Sequence, residues 1–202
     1  MRLCIFGDSY VSGVGDPTGG GWVTPACVAA GNPALTVYPL GIRRDTSADI
    51  RQRWGDESAR RLVADEPGGL VFAFGVNDCV WENGAVRVPP AQSCAHTHAI
   101  LSAARMRGLA HRCGVSVLFL GPPPVADSAA DVRIASLSEG LAACCAGVGV
   151  PYLPVFPALA VDPLWRAEVG AGDGAHPGTA GYGRLAALIA AWPPWQALVA
   201  LR

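Results

Sequence analysis

The chain alternates between short apolar runs and longer stretches of mixed character. Five runs have the length of β-strands, and they lie at 2–6, 35–38, 69–74, 115–120 and 150–153. Four longer stretches have the spacing of helices, at 46–65, 91–112, 128–147 and 178–192. Such alternation is typical of a parallel sheet with helices on both faces, and the third and fourth runs are almost continuously apolar, as fully buried strands are. The pattern predicts the α/β class, as a flavodoxin-like three-layer α/β/α sandwich with a five-stranded parallel sheet.

Length and charge narrow the class of protein further. At 202 residues the chain has the length of one domain, here taken as 1–202. The net charge is −1 and the arginines are spread along the chain, so we do not expect a nucleic-acid partner. No apolar run approaches the roughly 18 residues of a membrane span, and Asp8 interrupts the first run too early for a signal peptide. We therefore expect a cytoplasmic protein without a membrane span, and the oligomeric state stays open.

The residue types that are missing or isolated exclude several kinds of chemistry. Lysine is absent, which excludes Schiff-base catalysis, the lysine of a P-loop and a Ser-Lys dyad. The seven cysteines form no C-x-x-C pair, and their odd number argues against a full disulfide framework. His96 and His98 are two residues apart in a predicted helix, where side chains diverge, so we interpret them as solvated residues rather than metal ligands. The sequence predicts neither a cofactor nor a metal site.

A serine stands at the carboxyl end of the first predicted strand, in Gly7-Asp8-Ser9. In open α/β sheets this edge carries the chemistry. Near the other end of the chain, Asp173 precedes His176 by three residues. A serine becomes a nucleophile when an imidazole takes its proton and a carboxylate orients that imidazole. The spacing predicts a triad of Ser9, His176 and Asp173, although a serine at a strand end can also serve only as a helix cap.

Two further residues follow predicted strands and carry hydrogen-bond donors. Gly41 comes shortly after the second run, and a glycine permits close approach of a backbone N–H to a ligand. Asn77 comes three residues after the third run and carries a side-chain amide. The oxyanion that forms when a hydroxyl attacks an acyl carbon requires such donors. We predict that Gly41 and Asn77 supply them.

Four of these residues stand in the order that gives the SGNH (GDSL-type) hydrolase family its name: Ser9, Gly41, Asn77 and His176. The chain resembles that family over nearly its whole length. The resemblance implies that Ser9 is the nucleophile, His176 the base and Asp173 its orienting acid. It also implies that the backbone N–H groups of Ser9 and Gly41 and the side chain of Asn77 hold the oxyanion. The expected reaction is hydrolysis of a small-molecule carboxylic ester or thioester, and the short loops favour a small acyl group.

Two other functions stay open at this stage. A haloacid-dehalogenase-type phosphatase would use Asp8 as nucleophile and Gly172-Asp173-Gly174 to hold magnesium. That chemistry requires an Asp-x-Asp motif and a lysine, whereas Tyr10 occupies the second position of the motif here. A non-catalytic flavodoxin-like binding module would keep the same residues as remnants. We interpret Asp8 instead as a turn residue that accepts neighbouring backbone N–H groups.

Two loops make unusual demands on the backbone. The segment 12–22 is rich in glycine, but its glycines do not match the G-x-G-x-x-G pattern of a dinucleotide site. We expect this segment to let Trp22 fold toward the mouth of the site rather than to cradle a phosphate. In the loop after Gly41, Arg44 stands where the SGNH family often has a second glycine, which puts the local loop shape in question.

Overall fold

The computed structural model describes residues 1–201, apart from the side chain of Leu109, and it is built around a parallel sheet. The strands, in chain order, are β1 (Arg2–Gly7), β2 (Thr36–Gly41), β3 (Gly68–Ala73), β4 (Trp81–Glu82), β5 (Ala85–Val86), β6 (Val115–Leu120) and β7 (Tyr152–Leu153). The α-helices are α1 (Val23–Val28), α2 (Ser47–Ala59), α3 (Pro90–Ala110), α4 (Ser128–Gly147), α5 (Val155–Ala160), α6 (Pro163–Ala171), α7 (Thr179–Ala190) and α8 (Pro193–Val199).

The main sheet has five strands in the order β2-β1-β3-β6-β7, and every neighbouring pair is parallel. The predicted five-stranded parallel sheet is therefore confirmed. Strands β1 and β3 are central and almost wholly buried, as their continuous apolar sequences require. The short strands β4 and β5 form a separate antiparallel hairpin.

Helices cover both faces of the sheet and complete the predicted three-layer sandwich. Helix α3 packs against α2 and α4 on one face, whereas α1, α5, α6 and α8 pack against α7 on the other. The division follows from the strand order. From β1 the chain steps to β2 in one direction and afterwards moves only in the other, and right-handed crossovers then place the connecting helices on opposite faces.

Strand β2 is longer than its sequence predicts. The apolar run ends before Pro39, but the strand continues through Pro39 to Gly41. Because β2 lies at the edge of the sheet, a proline there need not break a ladder between two neighbours. The extension matters, since it carries Gly41 level with the end of β1.

All seven cysteines are free thiols. Burial raises the pKa of Cys4, Cys79 and Cys145 to about 12. Cys113 is exposed and precedes β6, at the amino end of the sheet, next to a cavity of about 700 Å³. Within residues 1–201, no helix combines the length and the apolar character that a membrane crossing requires.

Candidate active site

The three residues predicted after strands meet at one edge of the sheet. Strands β1, β2 and β3 end in register, which brings Ser9, Gly41 and Asn77 to the same carboxyl edge. Position 41 has no room for a side chain, because a Cβ there would lie 2.5 Å from the carbonyl oxygen of Asp8 and 2.5 Å from the nitrogen of Ser12. Glycine is therefore required where the two loops touch.

Ser9, His176 and Asp173 form one hydrogen-bonded row. The distance from His176 Nε2 to Ser9 Oγ is 2.7 Å, and the distance from His176 Nδ1 to Asp173 Oδ2 is also 2.7 Å. Ser9 is buried, whereas the Asp173 side chain is 47% exposed. An imidazole held between a hydroxyl and a carboxylate in this way can take the hydroxyl proton.

The Asp173 carboxylate is built to stay ionised. Burial on its own raises the pKa of Asp173, but hydrogen bonds from His176 and Ala175 outweigh it and lower that pKa to about 2. The backbone N–H groups of His176 and Ala175 both donate to Asp173 Oδ1, at 2.9 and 3.0 Å. Oδ2 is left for the imidazole, so the carboxylate fixes the ring orientation at neutral pH.

Tyr10, which the sequence analysis did not assign to the site, contacts the loop that carries His176. Its hydroxyl donates to the carbonyl oxygen of Ala175 at 2.6 Å. The centroid of the Tyr10 ring lies 5.0 Å from the centroid of the His176 ring and 6.4 Å from that of the Trp165 ring. The only signal in the sequence is that Tyr10 directly follows Ser9.

Asn77 already has partners for its amide hydrogens. Its Nδ2 donates to Asp8 Oδ2 at 3.1 Å and to the carbonyl oxygen of Asp45 at 3.0 Å. These bonds tie the loop after β3 to the loops after β1 and β2. They also mean that donation from Asn77 to a bound group requires the exchange of one existing bond.

Asp8 contrasts with Asp173. It is almost fully buried, and it accepts the N–H of Tyr10 at 3.0 Å, in agreement with its interpretation as a turn residue. Burial and, to a smaller extent, the charge of Asp78 raise the pKa of Asp8 to about 7, although hydrogen bonds from Tyr10 and Asn77 oppose the rise. Asp8 thus titrates close to neutrality, next to the amide of Asn77.

A second polar cluster lies behind Asn77. Asp78 Oδ1 accepts the N–H of Ser47 at 2.8 Å, and Ser47 Oγ lies 3.0 Å from His96 Nδ1. Burial raises the pKa of Asp78. The prediction of a solvated His96 is therefore wrong, because this ring is half-buried against Ser47, whereas His98 is exposed. In the described part of the chain, no three His, Cys, Asp or Glu side chains are grouped as metal ligands.

Trp22 does not face the mouth of the site, and that prediction is wrong. Its side chain is 1% exposed and meets Trp195 edge to face at 6.3 Å. Trp22 is the N-cap residue directly before α1, and its inward-facing ring buries a large apolar surface in the core. It also borders a cavity of about 20 Å³ beside Asp8 and Tyr10.

The conformation of Arg44 shows the shape of the loop after Gly41, which the sequence left open. Its φ is +72°, in the left-handed region that favours glycine. The loop after Gly41 therefore keeps a glycine-like turn with an arginine in it. The turn is held from the β4–β5 hairpin, because Arg87 donates to the carbonyl oxygen of Arg44 at 2.9 Å and Glu82 pairs with the Arg44 guanidinium at 3.3 Å.

An open groove of about 400 Å³ lies beside His176 and Asp173. Its lining includes Gly15, Glu168, Asp173, His176 and Gly178. A small molecule bound there contacts His176 directly, whereas the larger cavity at the amino end of β6 is remote from Ser9. The groove is therefore the open space on the His176 and Asp173 side of the site.

The chain is similar to one family of proteins and to several solved structures. The model of the GDSL-like lipase/acylhydrolase family matches residues 5–184. No curated protein sequence matches significantly. Among solved structures, a lipase/acylhydrolase from Enterococcus faecalis is 24% identical with a TM-score of 0.70, covering 94% of this chain and 93% of that one. An alpha/beta hydrolase from the metagenome of Lake Arreo is 16% identical with a TM-score of 0.71, covering 98% and 95%. An acetylxylan esterase from Geobacillus stearothermophilus is 14% identical with a TM-score of 0.70, covering 100% and 94%. At these identities the three structures share the fold.

Proposed function

This chain belongs to the GDSL-like lipase/acylhydrolase family, and from that premise we propose that it hydrolyses carboxylic esters or thioesters of small acyl groups through an acyl-enzyme on Ser9. The observation that carries the proposal is the row of Ser9, His176 and Asp173, with both contacts at 2.7 Å. As a member of this family, the chain is an ester-hydrolysing enzyme. The roles of its residues and its acyl preference are our proposals.

The proposed first half-reaction begins at the imidazole. Asp173 accepts the Nδ1–H of His176, which leaves the Nε2 lone pair for the Ser9 hydroxyl. Nε2 takes the proton while Oγ forms a bond to the acyl carbon. The imidazolium then gives the proton to the departing alkoxide or thiolate as its bond to the acyl carbon breaks. Water repeats the sequence on the acyl-enzyme, releasing the carboxylic acid and restoring Ser9.

The proposed oxyanion donors are the backbone N–H groups of Ser9 and Gly41 and the amide of Asn77. Since both Asn77 hydrogens have acceptors, one bond must be exchanged when the tetrahedral intermediate forms. The bond to the neutral carbonyl of Asp45 is the cheaper one to exchange when Asp8 is ionised, because hydrogen bonds to charged acceptors are about twice as strong.

The phosphatase alternative has little support. Asp8 would have to attack a phosphoryl group, but its carboxylate is almost fully buried and bonded to Tyr10 and Asn77. Asp173, which would have to hold magnesium, is bonded to His176. A non-catalytic binding module is a weaker alternative for a different reason, since it would give no cause to keep a serine at 2.7 Å from an imidazole.

A fluorophosphonate probe tests the assignment of the nucleophile. We expect one equivalent of label on Ser9, loss of label and of ester hydrolysis in Ser9→Ala, and retention of both in Ser12→Ala. Ser12 is a matched control, because it lies on the same loop and its hydroxyl donates to the backbone carbonyl of Asp8. Label on another residue, or turnover by Ser9→Ala, contradicts the assignment.

A series of p-nitrophenyl esters tests the acyl preference. The groove beside His176 and Asp173 is otherwise lined by three glycines, Ala171 and Glu168, so it offers a long alkyl chain little apolar side chain to pack against. We expect kcat/KM to fall by at least about tenfold from acetate to octanoate. A rising series rejects the small-acyl preference and leaves the nucleophile assignment standing.

A further inference from the structure

The glycine-rich segment after the proposed nucleophile folds back onto the histidine side of the site. We call Tyr10–Gly21 the serine loop. Gly13 and Gly15 have φ of +73° and +92°, which glycine adopts without strain. Two parts of the loop lie in close contact, since a Cβ on Gly21 would be 2.7 Å from the Cα of Gly13. The glycines thus allow the loop to fold compactly.

One buried carboxylate, that of Asp16, holds the serine loop together and accepts four hydrogen bonds. Three come from the loop itself, namely from the Thr18 N–H at 3.0 Å, the Thr18 hydroxyl at 2.7 Å and the Gly21 N–H at 2.9 Å. The fourth comes from the Thr179 hydroxyl at 2.6 Å. Thr179 is the first residue of α7 and follows His176 by three positions.

The serine loop also contacts both proposed reactive residues. The N–H of Val14 donates to the carbonyl oxygen of Ser9 at 3.0 Å. Gly15 lies directly against the histidine, because a Cβ at position 15 would be 2.8 Å from the Cβ of His176 and 2.6 Å from the carbonyl oxygen of Pro177. The serine loop therefore lies between Ser9, near the start of the chain, and His176, near its end.

Ser9 and His176 are 167 residues apart in sequence and stand on separate elements, so tertiary contacts alone set their 2.7 Å separation. We propose that Asp16 is a positioning residue, which sets this separation by tying the serine loop to Thr179 at the start of α7. The inference rests on the proposed function, because it requires that Ser9 and His176 react together. Misplacement of reacting groups by 1 Å can cost about a hundredfold in rate.

The charge of Asp16 does not change over the pH range of the proposed assays. Burial raises the pKa of Asp16, but hydrogen bonds from Thr179 and Thr18 outweigh it and lower that pKa to about 2. The carboxylate is thus ionised from pH 5 to pH 9, and its hydrogen bonds are charge-assisted. Loss of the tie should therefore lower the rate without changing the shape of the pH profile.

Two valine variants separate positioning from folding of the loop. Thr179→Val and Thr18→Val each remove one hydroxyl donor from the same carboxylate, but only Thr179 lies on α7. We expect Thr179→Val to lower kcat for p-nitrophenyl acetate by about tenfold or more, with KM within about twofold. Thr18→Val should stay within about threefold of the original kcat. Thr179→Ser, which keeps the hydroxyl, should restore it.

The thermal unfolding midpoint of each variant is measured as well, and rates are taken at 25 °C. A loss of stability is then distinguished from a loss of kcat. An unchanged kcat in Thr179→Val, or equal losses in both valine variants, overturns the proposal, because Asp16 would then only fold the loop. If Ser9→Ala keeps turnover in this assay, the proposed function fails and the positioning role fails with it. If fluorophosphonate labels Ser9 while Thr179→Val is as fast as the original protein, only the positioning role fails.

Discussion

Two carboxylates near Ser9 differ in charge state because their surroundings differ. Asp173 receives two backbone N–H groups and the imidazole, and its pKa falls to about 2. Asp8 is almost fully buried and lies near the charge of Asp78, so its pKa rises to about 7 although Tyr10 and Asn77 donate hydrogen bonds to it. One carboxylate is therefore a fixed charge at neutral pH, whereas the other changes its charge there.

Replacing Asp173 with Asn should lower kcat by about 10²–10⁴, because the amide carries no charge to stabilise the imidazolium and does not enforce the Nδ1–H tautomer. The measurement is ester hydrolysis from pH 5 to pH 9. Asp65→Asn is the control, since Asp65 is exposed and pairs with Arg112 at the surface. A profile that coincides with that of the original protein would remove Asp173 from the proposed triad.

Asp8 should make the folded protein less stable as the pH rises. Its pKa is about 7 when folded against 3.8 as the unperturbed value, so the folded state binds the proton more tightly. Between these values the unfolded chain has lost a proton that the folded chain keeps, and stability falls as pH rises. From pH 5 to pH 7.5 we expect the free energy of unfolding, measured in urea, to fall by about 2–3 kcal/mol more in the original protein than in Asp8→Asn. Parallel curves would contradict the raised pKa.

The sequence could identify some residues of the candidate site but not others. Ser9, Gly41 and Asn77 each follow an apolar run, and the order of a parallel sheet then predicts that they meet. Tyr10 and Asp16 gave no such signal, because their partners lie 165 and 163 residues away and come close only in the folded chain. Local pattern does not encode such pairs.

At the scale of elements, the turn between β2 and α2 carries strain at Arg44, whose φ is +72°. A left-handed conformation costs a side-chain-bearing residue about 1–2 kcal/mol, whereas the exposed pair with Glu82 contributes at most about 1 kcal/mol. Arg44→Gly should therefore keep kcat and raise the free energy of unfolding by up to about 1 kcal/mol. The measurement is urea unfolding with Arg43→Gly beside it.

Arg43 is the matched control because it is the exposed neighbour and lacks a positive φ. Glycine there should cost about 0.5–1 kcal/mol through lost backbone order. Equal destabilisation by the two glycine variants would show that Arg44 is not strained.

Two of the helices that the sequence analysis missed share a physical reason. Helices α6 and α8 start with Pro163 and Pro193, in first-turn positions where proline is tolerated. Proline-rich sequence otherwise resembles a loop, so periodicity gave no helix there. The β4–β5 hairpin had a readable signal, since Asn83 and Gly84 have φ of +53° and +81°, as an Asn-Gly turn of two residues requires.

For the whole molecule, we propose that the chain unfolds as one unit. Its buried apolar side chains form one cluster that runs from Met1 to Val199 and includes all three layers. A shared core of this kind makes unfolding cooperative. Urea unfolding followed by fluorescence and by circular dichroism should give coincident transitions, and two separate transitions would contradict a single domain.

The two ends of a parallel sheet differ chemically. In this protein the difference allows the enzyme to be attached to a solid support in one orientation. Cys113 is exposed at the amino end of β6, whereas Ser9 lies at the carboxyl edge, the length of a six-residue strand away, about 20 Å. The other thiols are buried or half-buried. A maleimide should therefore couple first at Cys113, with the reaction lost in Cys113→Ser. Enzyme anchored through this thiol should keep its esterase rate, because its reactive edge faces away from the support; a large loss of rate would mean that the two ends communicate.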